Sequence, residues 1–152
     1  MVDDSEIFQQ VGAALVSEAQ GLRLVGVAAS GEEAIRLLPE LKPDLVLLDV
    51  HMPGLGGLET ARVIRRESPK TVVVLVSADP ASVAGDTPST GAAAFLSKTD
   101  MSPQILDELW AKHLPARSDV RSRLAKPKPQ PASGSPVWDH AAPPLRQEDG
   151  GR

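Results

Sequence analysis

The feature that most constrains this fold is a repeated change of hydrophobic periodicity along residues 1–114. Short apolar runs rich in branched side chains alternate with stretches whose apolar residues recur at helical spacing. The runs cover residues 22–28, 45–48, 72–76 and 93–96. Strands that alternate with helices of about ten residues are typical of right-handed crossovers and a parallel sheet. The pattern therefore predicts an α/β fold.

Four amphipathic stretches predict helices, at residues 5–18, 32–41, 58–67 and 103–113. In the first stretch, helical spacing places five apolar side chains on one face: Ile7, Phe8, Val11, Leu15 and Val16. Ser30 and Glu33 form a capping-box pattern ahead of the second, and Ser102 with Pro103 is typical of the start of the last. Residues 81–90 contain Gly85 and Pro88, so we expect only a short or mobile helix there.

Residues 115–152 have a different composition. They hold seven of the fourteen prolines and few apolar residues, and seven basic side chains against four acidic ones give them a net charge of +3. Such a segment cannot bury enough apolar surface to offset the entropy that ordering would cost. We predict a folded domain at 1–114 and a disordered, proline-rich tail at 115–152.

Composition also excludes several classes of protein. The absence of cysteine excludes a disulfide framework and a thiolate metal site. No apolar run approaches the roughly 20 residues of a membrane helix, and the residues after Met1 are acidic, unlike a signal peptide. The net charge of −4 gives no general attraction to nucleic acid or to an anionic membrane. We expect a cytoplasmic protein.

Polar residues stand where the predicted strands end. These residues are Asp3, Asp4, Asp49, Ser77 and Lys98. In an open parallel sheet, ligands bind at the carboxyl ends of the strands. Three carboxylates crowded at one edge favour a hard divalent cation such as Mg²⁺, while a lysine and a hydroxyl suit a phosphoryl group. The pattern indicates phosphoryl transfer to a carboxylate.

The acidic pair at 3–4 and the stretches LLDVHMPGLGG (47–57), VVVLVSA (72–78) and GAAAFLSK (91–98) resemble the receiver domains of bacterial two-component response regulators, which have the CheY-like fold. The similarity spans residues 2 to 114. Small residues before the last strand, with Thr99 after Lys98, look closer to receivers of the NarL/LuxR type. The resemblance implies a doubly wound, five-stranded parallel sheet in the order 2-1-3-4-5, flanked by helices and with a truncated first strand.

The resemblance also implies a phosphoacceptor and a metal site. Asp49 would accept the phosphoryl group from a sensor histidine kinase, a phosphotransfer protein or a small phosphodonor. Mg²⁺ would be the cofactor, held by Asp3, Asp4, Asp49 and the backbone carbonyl of His51. Asp4 would bind the ion directly and Asp3 through water. The His51 side chain is interpreted as an exposed loop residue that could tune hydrolysis of the acyl phosphate.

Three further residues would complete the site by resemblance. Ser77 would hydrogen-bond the phosphoryl oxygens and act as a switch residue, and Lys98 would pair with the phosphoryl charge. Phe95 would occupy the aromatic switch position, with simple core packing as an equal alternative.

The sequence departs from the receiver pattern at its start. Receivers enter the acidic pair from a strand of about five apolar residues, and here only Met1 and Val2 precede it. We expect a start codon upstream of Met1 or, failing that, a frayed terminus with weak metal binding and poor stability. Gly56 stands where an aspartate often caps the following helix, and no DNA-binding output domain can be recognised.

Three interpretations of function stay open. The favoured one is a stand-alone phosphorylatable receiver that signals to an unknown downstream protein, with no direct DNA or membrane binding and with a homodimer as a possible assembly. It would be no enzyme beyond Mg²⁺-dependent self-phosphorylation and autodephosphorylation. The alternative is a pseudo-receiver that acts as a docking module without phosphorylation. In a third, the basic tail around residues 126–131 docks as a polyproline segment.

Overall fold

The structure is a computed structural model that describes residues 1–79, 81 and 87–113. Its helices and strands are α1 (Glu6–Glu18), α2 (Gly31–Leu41), β1 (Leu45–Asp49), α3 (Gly57–Glu67), β2 (Val72–Ser77), α4 (Thr87–Thr90), β3 (Ala94–Ser97), a 3₁₀ turn (Lys98–Asp100) and α5 (Pro103–His113). The predicted tail and half of the predicted weak segment at 81–90 lie outside the described residues, and the described part of that segment contains the short helix α4. None of the described helices has the length and apolarity to span a membrane.

The three strands form a parallel sheet in the order β1-β2-β3. Leu45 pairs with Val72, and Val74 pairs with Ala94. Continuous apolar sequence in both β1 and β2 is explained by helices that cover both faces of the sheet. The prediction of a parallel sheet flanked by helices is therefore confirmed.

Alternate residues of the strands enter two separate core clusters. The first core cluster combines Val46, Leu48, Val73 and Leu75 with residues of α2 and α3, among them Leu38 and Ile64. The second core cluster combines Leu47, Val74 and Val76 with residues of α1 and α5, among them Val16 and Leu106. The sheet thus separates two hydrophobic cores and contributes side chains to both.

The predicted strand at 22–28 is wrong for most of its length. Only Ala28 pairs, through an isolated parallel bridge to Val2, which in turn bridges Leu48 of β1. Among the described residues, a single residue, Val2, lies between Ala28 and β1, and residues 22–25 have no strand beside them. Leu24 and Val25 accordingly stay 37% and 42% exposed. The described residues hold three strands and two bridges, and not the five strands expected.

The buried face of α1 differs from the prediction at two of its five residues, Ile7 and Val11. The helix buries Gly12 and Val16, whereas Ile7 is 77% exposed and Val11 is 45% exposed. The Met1 side chain occupies the space that a Cβ atom at position 12 would need. Gly12 therefore lets the Met1 side chain pack directly against the helix, while Phe8 and Leu15 pack with Val16 against the second core cluster as predicted.

The N-terminal amine of Met1 is partly buried beside residues 26–28. Its nitrogen donates a hydrogen bond to the carbonyl oxygen of Gly26 at 3.0 Å, and the Ala28 N–H donates to the carbonyl oxygen of Met1 at 2.9 Å. Burial lowers the pKa of this amine from its ordinary value of 8.0 to about 6. In the unfolded chain the amine is solvated and keeps the higher value.

For protein prepared with Met1 as its first residue, we expect the free energy of unfolding to fall by up to about 2 kcal/mol as the pH drops from 8 to 6. Between these values the unfolded chain binds more protons than the folded one, so acidification favours unfolding. Urea unfolding at a series of pH values measures the effect. The same protein acetylated on Met1 should lose this component, and an identical pH dependence in both forms would contradict the prediction.

Candidate functional site

Parallel pairing brings the chemically active residues to one edge of the sheet. β1 ends at Asp49 and β2 ends at Ser77, which pairs with Ser97 in β3, directly before Lys98. The bridge from Val2 to β1 places the following residue, Asp3, at the same edge. The side chains that the sequence separates by up to 95 positions thus meet at the carboxyl ends of the strands.

The ammonium of Lys98 lies between two buried carboxylates. Its Nζ is 2.6 Å from Oδ2 of Asp3 and 3.2 Å from Oδ1 of Asp49. Asp3 is 1% exposed and Asp49 is 4% exposed, so both charges depend on partners within the protein. The second oxygen of Asp3, Oδ1, accepts a hydrogen bond from the Ser5 N–H at 2.9 Å. Both oxygens of Asp3 therefore have partners, while the expected weak metal binding and poor stability stay predictions.

Burial and charge shift the pKa values of this site in a consistent way. Burial raises the pKa of Asp49, attraction to Lys98 lowers it, and repulsion from Asp3 raises it, with a net increase. For Lys98, burial lowers the pKa, but the hydrogen bond to Asp3 and the attraction of Asp49 raise it by more. The net increase comes first from burial of Asp49, and a single ammonium lies beside the two buried carboxylates of Asp3 and Asp49. Further positive charge would therefore stabilise the site.

The donor set of the site fits a divalent cation. Asp3, Asp4 and Asp49 each offer a carboxylate oxygen, and these oxygens lie within 4.8 Å of one another. Asp4 is exposed, while the other two residues are buried. Carboxylate oxygens and water are the ligands that Mg²⁺ prefers. The predicted part of the His51 carbonyl in this site stays a prediction.

Ser77 is fully buried at the end of β2 and its hydroxyl is engaged. The Oγ atom accepts from the Asp79 N–H at 3.0 Å, donates to the Asp79 carbonyl at 3.1 Å, and lies 3.3 Å from Nδ1 of His51. The expected exposure of His51 is observed. Its contact with Ser77 was not predicted, because His51 lies in the loop after β1 while Ser77 ends β2, and no local pattern relates the two.

Phe95 lies partly buried in β3 and packs against the first core cluster. This position agrees with the core-packing alternative. The switch role of Phe95 stays a prediction.

Two residues of the first turns of α1 belong to the site and were not recognised in the sequence. The ring of Phe8 has its centroid 4.2 Å from Nζ of Lys98. The side-chain amide of Gln9 donates to the carbonyl oxygen of Asp3 at 2.7 Å. Helical periodicity assigned Phe8 to the apolar face of the helix, and that signal contains no information about a lysine 90 positions away.

The loop after Asp49 approaches the sheet closely. A Cβ atom at Gly57 would overlap the carbonyl oxygen of Asp49, and Gly54 has a φ angle of 73°, which favours glycine. The carboxylate of Glu32 accepts from the Leu55 N–H at 2.8 Å and so ties the loop to α2. α3 begins after Gly56 without a side-chain cap, as expected.

Comparisons with known proteins agree with this arrangement. The family model of the response regulator receiver domain matches residues 1–109. The response regulator GacA of Pseudomonas aeruginosa is 43% identical over 77 residues, which are 51% of this chain and 36% of GacA. The chain therefore spans about a third of the length of this relative.

Two solved structures extend the similarity to the fold. The signal receiver domain of NarL from Mycobacterium tuberculosis has a TM-score of 0.65 at 30% identity, covering 73% of this chain and 90% of that one. CheY in the CheX–CheY–BeF₃–Mg²⁺ complex of Borrelia burgdorferi has a TM-score of 0.63 at 25% identity, covering 75% of this chain and 87% of that one. The chain belongs to the response regulator receiver domain family, as the resemblance predicted.

We expect Lys98→Met to lower the free energy of unfolding by about 2 kcal/mol in the absence of divalent cations. The substitution keeps an apolar stem but leaves Asp3 and Asp49 as unbalanced, buried like charges. Urea unfolding measures the loss, and added Mg²⁺ should restore part of it.

The matched control is the same substitution in an Asp3→Asn background, which already lacks one of the two charges. There Lys98→Met should cost clearly less. An equal cost in both backgrounds would show that the ammonium does not offset the charge of Asp3.

Proposed function

We propose that this protein is a phosphorylatable receiver in which Asp49 accepts a phosphoryl group from a sensor histidine kinase or a phosphotransfer protein. The observation that carries the proposal is the surroundings of Asp49, a buried carboxylate at the sheet edge with an ammonium at 3.2 Å and two further carboxylates nearby. Family membership and the presence of beryllofluoride and Mg²⁺ in the complex of the related CheY support it.

In this reaction an oxygen of Asp49 forms the new bond to phosphorus, and the bond from phosphorus to the donor's imidazole nitrogen or carboxylate oxygen breaks. Mg²⁺, when bound, neutralises phosphoryl charge and brings the reacting groups together. Asp3, Asp4, Asp49 and the His51 carbonyl are the ligands that we propose for it. Both oxygens of Asp3 already have partners within the protein, which supports contact through water for Asp3 and direct contact for the exposed Asp4.

The ammonium of Lys98 is placed to pair with the phosphoryl oxygens, because it already lies beside the acceptor oxygen. We propose that the Ser77 hydroxyl moves from its present partners to a phosphoryl oxygen, and that Phe95 repacks with it as the second switch residue. Such a change in a loop and an aromatic side chain is a two-state response to a local charge. It would be read by a downstream protein.

The proposal is limited to signalling by protein contact. We propose a cytoplasmic receiver domain at 1–114, without catalytic activity beyond phosphorylation of Asp49 and loss of that phosphate, and without direct DNA binding by this domain. A homodimer is one assembly compatible with the receiver fold. The docking module without phosphorylation remains the competing function.

Incubation with Mg²⁺ and acetyl phosphate should add the mass of one phosphoryl group to the wild-type chain, as measured by intact-protein mass spectrometry. Asp49→Asn should gain no phosphoryl group, because its side-chain amide lacks the negatively charged carboxylate oxygen that attacks phosphorus. Asp44→Asn is the matched control, since Asp44 is exposed just before β1, at the far end of the strand, and it should be modified like the wild type.

Removal of Mg²⁺ with a chelator should abolish the modification of both the wild type and Asp44→Asn. If Asp49→Asn were modified as much as the wild type, a residue other than Asp49 would be the phosphoacceptor. An unmodified wild-type chain that still folds would favour the docking module.

A further inference from the structure

Three groups contact the ammonium of Lys98, and one of them is an aromatic ring. The two carboxylates are those of Asp3 and Asp49, and the third group is the face of Phe8, with 4.2 Å between Nζ and the ring centroid. This distance lies within the range of a cation–π interaction. The Lys98 side chain is only 18% exposed, so water weakens these contacts less than it would at the surface.

The ring and the carboxylates differ in their response to a divalent cation. Carboxylates that bind Mg²⁺ share their charge with it, and the bound cation repels a neighbouring ammonium. A benzene ring attracts an ammonium through the negative face of its quadrupole, but it is no ligand for a hard cation. The contact with Phe8 is therefore the one of the three described contacts that involves no carboxylate of the proposed metal site.

The ring is held in place by its own surroundings. The Phe8 N–H donates to the capping hydroxyl of Ser5 at 3.4 Å, and the ring packs against the second core cluster. Gln9 joins the same turn of α1 to the backbone of Asp3. The aromatic face and the metal-binding edge thus belong to one continuous segment, which fixes the ring relative to the site.

We infer that Phe8 is a positioning residue, which keeps the Lys98 ammonium beside Asp49 while Mg²⁺ occupies the carboxylates, so that the ammonium can bind the phosphoryl group. The inference rests on the proposed function, which it extends from the acceptor and the lysine to the residue that orients the lysine. It concerns a contact that joins α1 to the turn after β3, and the receiver motifs quoted above do not include it.

The test measures the affinity for beryllofluoride at saturating Mg²⁺ and, separately, the affinity for Mg²⁺ alone, both by NMR titration of backbone amides. Phe8→Leu keeps an apolar side chain without the ring and should bind beryllofluoride about fivefold more weakly, with Mg²⁺ affinity changed less than about twofold. Phe8→Trp should restore the affinity. Ile7→Leu, a neighbouring exposed position, should match the wild type.

Ring fluorination separates electrostatics from packing. Each added fluorine weakens the negative face of the ring at nearly constant volume, so the beryllofluoride affinity should fall stepwise from phenylalanine to trifluorophenylalanine at position 8. This series stays decisive if the leucine variant loses stability. In the metal-free protein, the side-chain protons of Lys98 should show an upfield ring-current shift that Phe8→Leu removes.

The outcomes separate this inference from the proposed function. Beryllofluoride binding that requires Asp49 but is unchanged in Phe8→Leu and flat across the fluorinated series would overturn the role of Phe8 alone. A wild-type protein that binds no beryllofluoride would overturn the proposed function and this role together. Equal losses of Mg²⁺ and beryllofluoride affinity would show that Phe8 supports the fold and not the lysine.

Discussion

The parallel pairing of β1 with β2, and of β2 with β3, is the constraint on which the rest of the structure depends. Helices cover both faces of the sheet, so residues within the strands must be apolar and polarity can begin only where a strand ends. Parallel pairing then sends every such end to the same edge. Asp49 and Ser77 are the last residues of β1 and β2, and Lys98 follows the last residue of β3, so all three lie at this edge.

At this edge of the sheet, partly buried negative charge exceeds the positive charge beside it. Two carboxylates share one ammonium, and the exposed Asp4 adds a third negative charge nearby. The positive charge of Lys98 offsets only part of this negative charge. A bound cation, alone or together with a phosphoryl group, would therefore stabilise the folded chain further. The arrangement of partners around Asp3 agrees with this view.

Sequence analysis predicted the elements whose signal is local. The buried strands at residues 72–76 and 45–48 are continuous apolar runs, and Ser30 and Ser102 cap their helices through their own side chains. It failed where the outcome depends on a distant neighbour. Residues 22–28 have the composition of a strand, but a strand also needs a partner along its length. The Met1 side chain packs on α1 at Gly12, and the ring of Phe8 contacts a lysine from the other end of the domain.

The two-sided burial of the strands has a consequence for how they align. In a sheet with one solvent-exposed face, a register shift of one residue would expose apolar side chains. The hydrophobic pattern itself therefore fixes the register of such a sheet. Here both faces are apolar, and β1 and β2 could slide past each other with little change in what is buried. A register shift would instead separate Asp49 from Lys98 and leave the buried carboxylate of Asp49 without its ammonium partner. The residues suited to chemistry are therefore also the ones that make a single alignment of the strands more stable than its neighbours.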